Sequence, residues 1–197
     1  LTFTNKAARE MRERIGQLLS PAMTRVLWMG TFHSIFARIL RDESDRLGYP
    51  RSYTIYDSSD AKNMVKTAIR ELNLSDETYK PGDIAARISL AKNNLITPSA
   101  YEANASLQAE DRERRRPQFL DIYKLYGRKC RENGAMDFDD LLLNVNILFR
   151  DFPDALEKYQ NQFGYILVDE YQDTNYAQYA IIRRLAQNHA NVCVVGD

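Results

Sequence analysis

Apolar positions near the start of the chain follow two rhythms in turn. Leu1-Thr2-Phe3 reads as the tail of a strand. Ala7, Met11, Ile15 and Leu19 then recur every fourth residue, one face of a helix, with Thr4 or Asn5 as N-cap and Ser20-Pro21 as its stop. The short run Val26-Leu27-Trp28-Met29, closed by Gly30, predicts a buried strand. Phe32, Ile35, Phe36, Ile39 and Leu40 return to the helical period until Gly48 and Pro50, and Tyr53-Thr54-Ile55-Tyr56 is again strand-like. Strand, helix, strand, helix, strand is the rhythm of an α/β layer built on a parallel sheet.

That rhythm stops at Asp57-Ser58-Ser59-Asp60, a helix start, and the chain reads as all-helical to about residue 136. One helix turns Ala61, Met64, Val65, Ala68, Ile69 and Leu72 inward. A second opens on Pro81 and buries Ile84, Ile88, Ala91 and Leu95. A third carries Phe119, Ile122, Tyr123, Tyr126 and Cys130 to Gly134, and the polar stretch Thr97 to Ser106 reads as a loop. Asp137-Phe138-Asp139-Asp140 then caps a helix that buries Leu141, Leu142, Val145 and Leu148, its acids suited to the positive end of the helix dipole. Tyr165-Ile166-Leu167-Val168 and Val192-Cys193-Val194-Val195 lack polar alternation, as parallel strands covered on both faces do, with a helix over roughly 176–188 between them. The expected organisation is one α/β layer, residues 1–57 and 137–197, interrupted by a helical insertion, residues 58–136.

Composition narrows the class. The 197 residues are 44% hydrophobic and 27% charged, a globular balance that argues against extended disorder. No apolar run approaches the ~20 residues of a membrane span, and the first residues lack the order of a signal peptide. Cys130 and Cys193 stand far apart without metal-ligand spacing, so a reduced, cytoplasmic compartment and no membrane partner are expected. The net charge of zero hides a gradient: residues 1–56 sum to +4, 57–136 to +2 and 137–197 to −6. If that gradient is segregated in space, a polyanion belongs to the early residues and a cation to the late ones. Lys6, Arg9, Arg12 and Arg14 read as a solvated helix face, and Arg114-Arg115-Arg116 as an exposed patch.

The sharpest chemistry is Val168-Asp169-Glu170-Tyr171-Gln172-Asp173-Thr174-Asn175. Two adjacent acids at the C-terminal end of a buried strand stand where open α/β sheets bind ligands. One carboxylate there can hold Mg2+ through its hydration shell while the next polarises a water. A bare acidic pair would as readily be a solvated loop before a helix; the complete string is more specific.

This string resembles motif II of superfamily 1 helicases of the UvrD/Rep/PcrA type. Thr2-Phe3-Thr4-Asn5-Lys6-Ala7-Ala8-Arg9-Glu10-Met11 is similar to their motif Ia, Gly30-Thr31-Phe32-His33-Ser34 to motif Ib, Asp137-Phe138-Asp139-Asp140-Leu141-Leu142 to their DFDDL segment, and Val195-Gly196-Asp197 to the start of motif III. The resemblance spans the whole chain. It implies a partial RecA-like parallel sheet of P-loop NTPase type (domain 1A) with an inserted all-helical subdomain (1B), in a DNA-stimulated ATPase that translocates on single strands and unwinds duplexes. By the resemblance Asp169 associates with Mg2+ and joins Glu170 in binding ATP, Glu170 activates the attacking water, and Gln172 couples nucleotide state to neighbouring motifs. The resemblance further implies that Phe3, Thr4, Asn5, Thr31, Phe32 and His33 face single-stranded DNA. Aromatic platforms with hydroxyl and amide donors suit a single strand, and a helix start offers free N–H groups to phosphate.

The phosphate-cradling GxxxxGK[ST] is absent from the 197 residues, so the P-loop strand of the family is missing and the chain reads as an internal fragment, inactive alone. The resemblance implies ATP and Mg2+ as cofactors of the parent, with single-stranded DNA, single/double-strand junctions and repair or replication proteins as partners. Two alternatives stay open: a non-catalytic DNA- or partner-binding module, and a metal-dependent nuclease using the acids at 137–140 and 169–173.

Overall fold

The computed structural model describes residues 1–197 and divides into two compact units, Leu1–Glu43 with Asn144–Asp197, and Ser44–Leu143. Leu1–Glu43 holds helices α1 (Asn5–Leu18), α2 (Pro21–Val26) and α3 (Phe32–Glu43). Ser44–Leu143 holds a 3-10 turn (Ser44–Leu47), strand β1 (Thr54–Tyr56), helices α4 (Ser58–Glu71), α5 (Pro81–Asn93), α6 (Pro98–Glu102), α7 (Ala105–Glu113) and α8 (Phe119–Glu132), strand β2 (Ala135–Asp137) and the start of α9 (Phe138–Asp151). From Asn144 come the rest of α9, α10 (Pro153–Gln162), β3 (Ile166–Val168), a 3-10 turn (Tyr171–Asp173), α11 (Tyr176–Ala186) and β4 (Val192–Val194). No helix is long and apolar enough to cross a membrane.

The first unit is organised by a parallel ladder. β3 pairs with β4 in the register Ile166↔Val192, Leu167↔Cys193 and Val168↔Val194. Backbone bonds continue the ladder on the other side of β3: the Leu1 amine donates to the Leu167 carbonyl (2.6 Å) and the Asp169 N–H to that of Leu1 (3.0 Å). One step further, Thr2 bridges Thr31 in parallel, its N–H donating to Gly30 and its carbonyl accepting from Phe32. Phe32, Phe36, Ile39 and Leu40 of α3, Leu148 and Phe149 of α9, Tyr159 of α10 and Ile181 of α11 are buried in this unit.

Two expectations fail here. Val26-Leu27-Trp28-Met29 is not a strand. Ser20 caps α2 by accepting from the Met23 N–H, and Pro21 occupies its first turn, so the pair that stops α1 also starts a second helix. Val26 and Leu27 are exposed, and Trp28 meets Phe163 edge-on at 5.0 Å beneath the Arg38 guanidinium. The ladder partner of Thr2 lies a few residues later, at Thr31. Nor are β3 and β4 covered on both faces: Ile166 and Val168 are buried, whereas Leu167 is 63% exposed and β4 is exposed along its length. Alternation along β3 sends successive side chains to opposite faces. α1 lies over Leu167 and Cys193 only loosely, leaving an open groove of about 410 Å³ with Ala7, Met11, Ile15 and Val195 in its lining.

The second unit is helical around Val65, Ala68 and Ile69 of α4, Ile84 and Ile88 of α5, and Phe119, Ile122, Tyr123 and Tyr126 of α8. Its start is fixed by a capping box in which Asp57 accepts from the Ser59 and Asp60 N–H groups while Asp60 accepts from that of Asp57. Thr97 to Ser106 is mostly helix rather than loop, because Thr97 with Pro98 and then Asn104 supply two further N-caps. Tyr53–Tyr56 does not extend the ladder of the first unit. β1 pairs in parallel with β2, Thr54↔Ala135 through Tyr56↔Asp137, a strand absent from the sequence pattern. Both flanks therefore belong to the helical unit, which is wider at each end than residues 58–136.

Candidate functional site

β3 ends at Val168, and the chain turns sharply. Asp169 is half-buried and Glu170 is exposed, with Glu170 in the left-handed backbone region at φ 51°. For a residue with a Cβ that conformation is strained, and such strain persists only where neighbouring bonds fix it. They do: the Tyr171 N–H donates to the Val195 carbonyl (2.9 Å), the Asp173 N–H to that of Glu170 (2.9 Å) and the Thr174 hydroxyl to that of Tyr171 (2.7 Å). Asn175 and Gln178 then close a capping box that starts α11. The turn leaves the Asp169 carboxylate without a hydrogen-bond donor from the protein, and Gln172 Nε2 donates to Glu170 Oε2 at 2.7 Å.

The same edge of the ladder carries the ends of Leu1–Phe3 and of Gly30–Thr31. Their pairing sets the first turns of α1 and α3 beside one another. Thr4 is exposed and caps α1 by accepting from the Ala7 N–H (3.1 Å), and Asn5 is exposed as its first residue. Phe3 is half-buried against Phe32, ring centroids 5.1 Å apart. His33 is half-buried. Thr31 is buried, its Oγ1 accepting from the Ser34 N–H (3.2 Å).

Phe32 departs from its expected role. Its ring is 1% exposed and wedged between Phe3 and Phe36, so it presents no face to a base. The helical period that puts Ile35, Phe36 and Ile39 in the core carries Phe32 with them. What Phe32 contributes to this edge is support for the Phe3 ring.

The acids at 137–140 form a different kind of site. Asp137 and Asp140 exchange backbone bonds as a capping box for α9, each side chain accepting from the other's N–H (2.7 and 3.1 Å). Buried Lys92 lies 2.6 Å from Asp137 and 2.8 Å from Asp140, Tyr126 donates to Asp137, and Asn93 donates to Asp139 (3.0 Å). Sequence pattern gave no hint of Lys92, which falls on the apolar face of α5. Burial raises the Asp140 carboxyl to about 6 against the pull of Lys92. Burial works on Asp137 in the same sense, but the Lys92 charge with the Lys92 and Tyr126 hydrogen bonds outweighs it and holds that carboxyl below its ordinary value. No group of three or more His, Cys, Asp or Glu side chains is arranged to hold a metal, here or at 169–173. The Asp169 carboxylate, which accepts no hydrogen bond from the protein, nonetheless suits Mg2+, which keeps most of its waters and takes one or two protein carboxylates beside substrate phosphates.

The family model for the UvrD/REP helicase N-terminal domain matches residues 1–197, the whole length. The chain belongs to that family. Among curated relatives, the ATP-dependent DNA helicase PcrA of Staphylococcus aureus (strain Mu50) is 44% identical over 197 residues, and those of Leuconostoc citreum and Staphylococcus epidermidis are each 43% identical. In all three the match takes in 100% of this chain and 26% of the relative, so the chain spans about a quarter of the length of the curated relatives it matches. In this UvrD/REP N-terminal domain, then, the parallel β3–β4 pair, the strained acidic turn and the adjoined helix starts make up one edge.

Proposed function

We propose that this chain is the part of an ATP-dependent DNA helicase that activates water for ATP hydrolysis and grips a single strand. The unit Leu1–Glu43 with Asn144–Asp197 belongs to its first RecA-like domain, 1A, and the unit Ser44–Leu143 holds subdomain 1B. The carrying observation is that Asp169 and Glu170 share one sheet edge with the starts of α1 and α3. Asp169 would hold Mg2+, which when bound neutralises charge on the nucleotide phosphates. Glu170 takes the proton of the attacking water as its oxygen bonds the γ-phosphorus and the bond to the ADP oxygen breaks. Gln172 acts beside it. Phe3 offers a partly open ring to a base, and Thr4, Asn5 and His33 offer polar groups to the strand; Thr31 and Phe32 shape that surface from beneath. A cytoplasmic location, junction DNA as substrate, and repair or replication partners accompany this reading.

The test uses the full-length protein. Phosphate release should rise on adding oligo-dT, and Glu170→Gln should lower turnover by about 10²-fold or more while ATP binding persists, since general-base assistance is typically worth that much. Near-normal turnover of the variant would overturn the assignment of Glu170.

A further inference from the structure

The C-terminal end of β4, where the sequence resembles the start of motif III, is bonded directly to the acidic turn. The Val195 N–H donates to the Val168 carbonyl and the Val195 carbonyl accepts from the Tyr171 N–H, both at 2.9 Å. These bonds clamp the chain after β4 beneath the turn. The next residue is Gly196. A Cβ built on it would overlap Oε1 of Gln172 and stand 3.3 Å from the Tyr171 nitrogen. Gly196 has no positive φ, so a side chain added here would crowd the Gln172 carboxamide and not strain the backbone.

The carboxamide that occupies this space is the one that donates to Glu170 at 2.7 Å. We propose that Gly196 is a positioning residue. Its missing side chain makes the berth in which Gln172 sits, and Gln172 from that berth fixes the rotamer of Glu170. The inference rests on the reading of Glu170 as the base. Glu170 is exposed, so packing does not hold its side chain; the Gln172 amide is the side-chain hydrogen bond that orients its carboxylate. Anything that shifts the end of β4 relative to the turn moves the berth, then Gln172, then the carboxylate. The strand end thereby regulates the base without touching it.

The alanine variant is informative because the clash is with the far end of a flexible side chain. Gly196→Ala can fold by swinging Gln172 aside, whereas the clamp through Val195 uses only backbone atoms. In the full-length protein, Gly196→Ala and Gln172→Ala should each lower kcat by about tenfold to a hundredfold, the range that loss of alignment at a reacting group can reach, with KM for ATP within about twofold. The double variant should be no slower than the slower single one, because both act on one contact. Gln172→Asn, which keeps the amide but is too short to span the berth, should behave like Gln172→Ala. Glu170→Gln run beside them separates the two levels: if it turns over normally, the base assignment itself is wrong. If it is slow while Gly196→Ala is unimpaired, or if the two alanine effects multiply in the double variant, Gly196 has no part in holding Glu170.

Discussion

The Lys92 ammonium and the Asp137 carboxylate meet at 2.6 Å inside the helical unit, with 2% and 7% of each residue exposed. Asp140 completes the group, so two acids share one cation and Asp140 holds its proton up to about 6. Folded chain therefore binds that proton more tightly than unfolded chain. The stability this gives is complete below the ordinary carboxylate value of 3.8 and is lost as pH rises through about 6. Asp137 works in the opposite sense and only below its ordinary value, as pH falls, outside that window. Thermal melts between about pH 4 and about pH 7 should show the wild type losing a few degrees relative to Asp140→Asn, which has no proton to release. Parallel curves for the two proteins would refute the shared-cation account.

Phe3 and Phe32 touch, yet their substitutions should separate cleanly. Phe32→Ala removes a fully buried ring and should destabilise by about 3–5 kcal/mol. Phe3→Ala, at a half-buried position, should melt much closer to the wild type while weakening oligo-dT binding, a stacked base being worth about 1–3 kcal/mol. Fluorescence anisotropy with labelled oligo-dT reads the second effect. Unchanged anisotropy for Phe3→Ala would remove that ring from the proposed strand contact.

Arg87 lies over the Phe119 ring at 4.1 Å and pairs with Asp111, which is 1% exposed and also accepts from the Tyr101 hydroxyl (2.8 Å). Arg87→Ala would leave a buried carboxylate without its cation and should cost roughly 3–5 kcal/mol in a chemical melt. Replacing the pair together, Arg87→Met with Asp111→Leu, should recover much of that loss. A double variant as unstable as the single one would mean that the packing of Arg87, rather than its charge, matters most.

The 197-residue chain by itself, mixed with ATP, Mg2+ and oligo-dT, should release no phosphate above its Glu170→Gln control. No GxxxxGK[ST] lies within it to cradle the β- and γ-phosphates. Its binding to oligo-dT should weaken steeply with salt, as contacts to phosphate do. DNA-stimulated release by this chain would contradict the need for a separate phosphate cradle.

The legible parts of the site were those written locally. The apolar run before Asp169 and the Asn175 cap after the turn lie within a few residues of one another, so strand, turn and helix could be read in order. Phe32 was legible twice and in conflict, as a core position by period and as a DNA contact by motif, and its period decided. β2 was invisible because Ala135-Met136-Asp137 is too short to alternate and its partner Thr54–Tyr56 is remote in sequence. Lys92 was hidden by its place on an apolar face, and Gly196 by its ordinary φ: what each requires is set by side chains from another part of the chain.

The β1–β2 pairing also bears on how freely the helical unit can vary. Thr54 and Ala135 close a loop of about eighty residues with a few backbone bonds. The entropy of closing a flexible loop grows only as the logarithm of its length, about 0.6 kcal/mol for each doubling. Whole helices between the two strands can thus be gained or shed with little penalty at the closure itself, provided that the new segment buries its own apolar face. Relatives that differ in the size of this unit should therefore keep the strand pair and vary in what lies between.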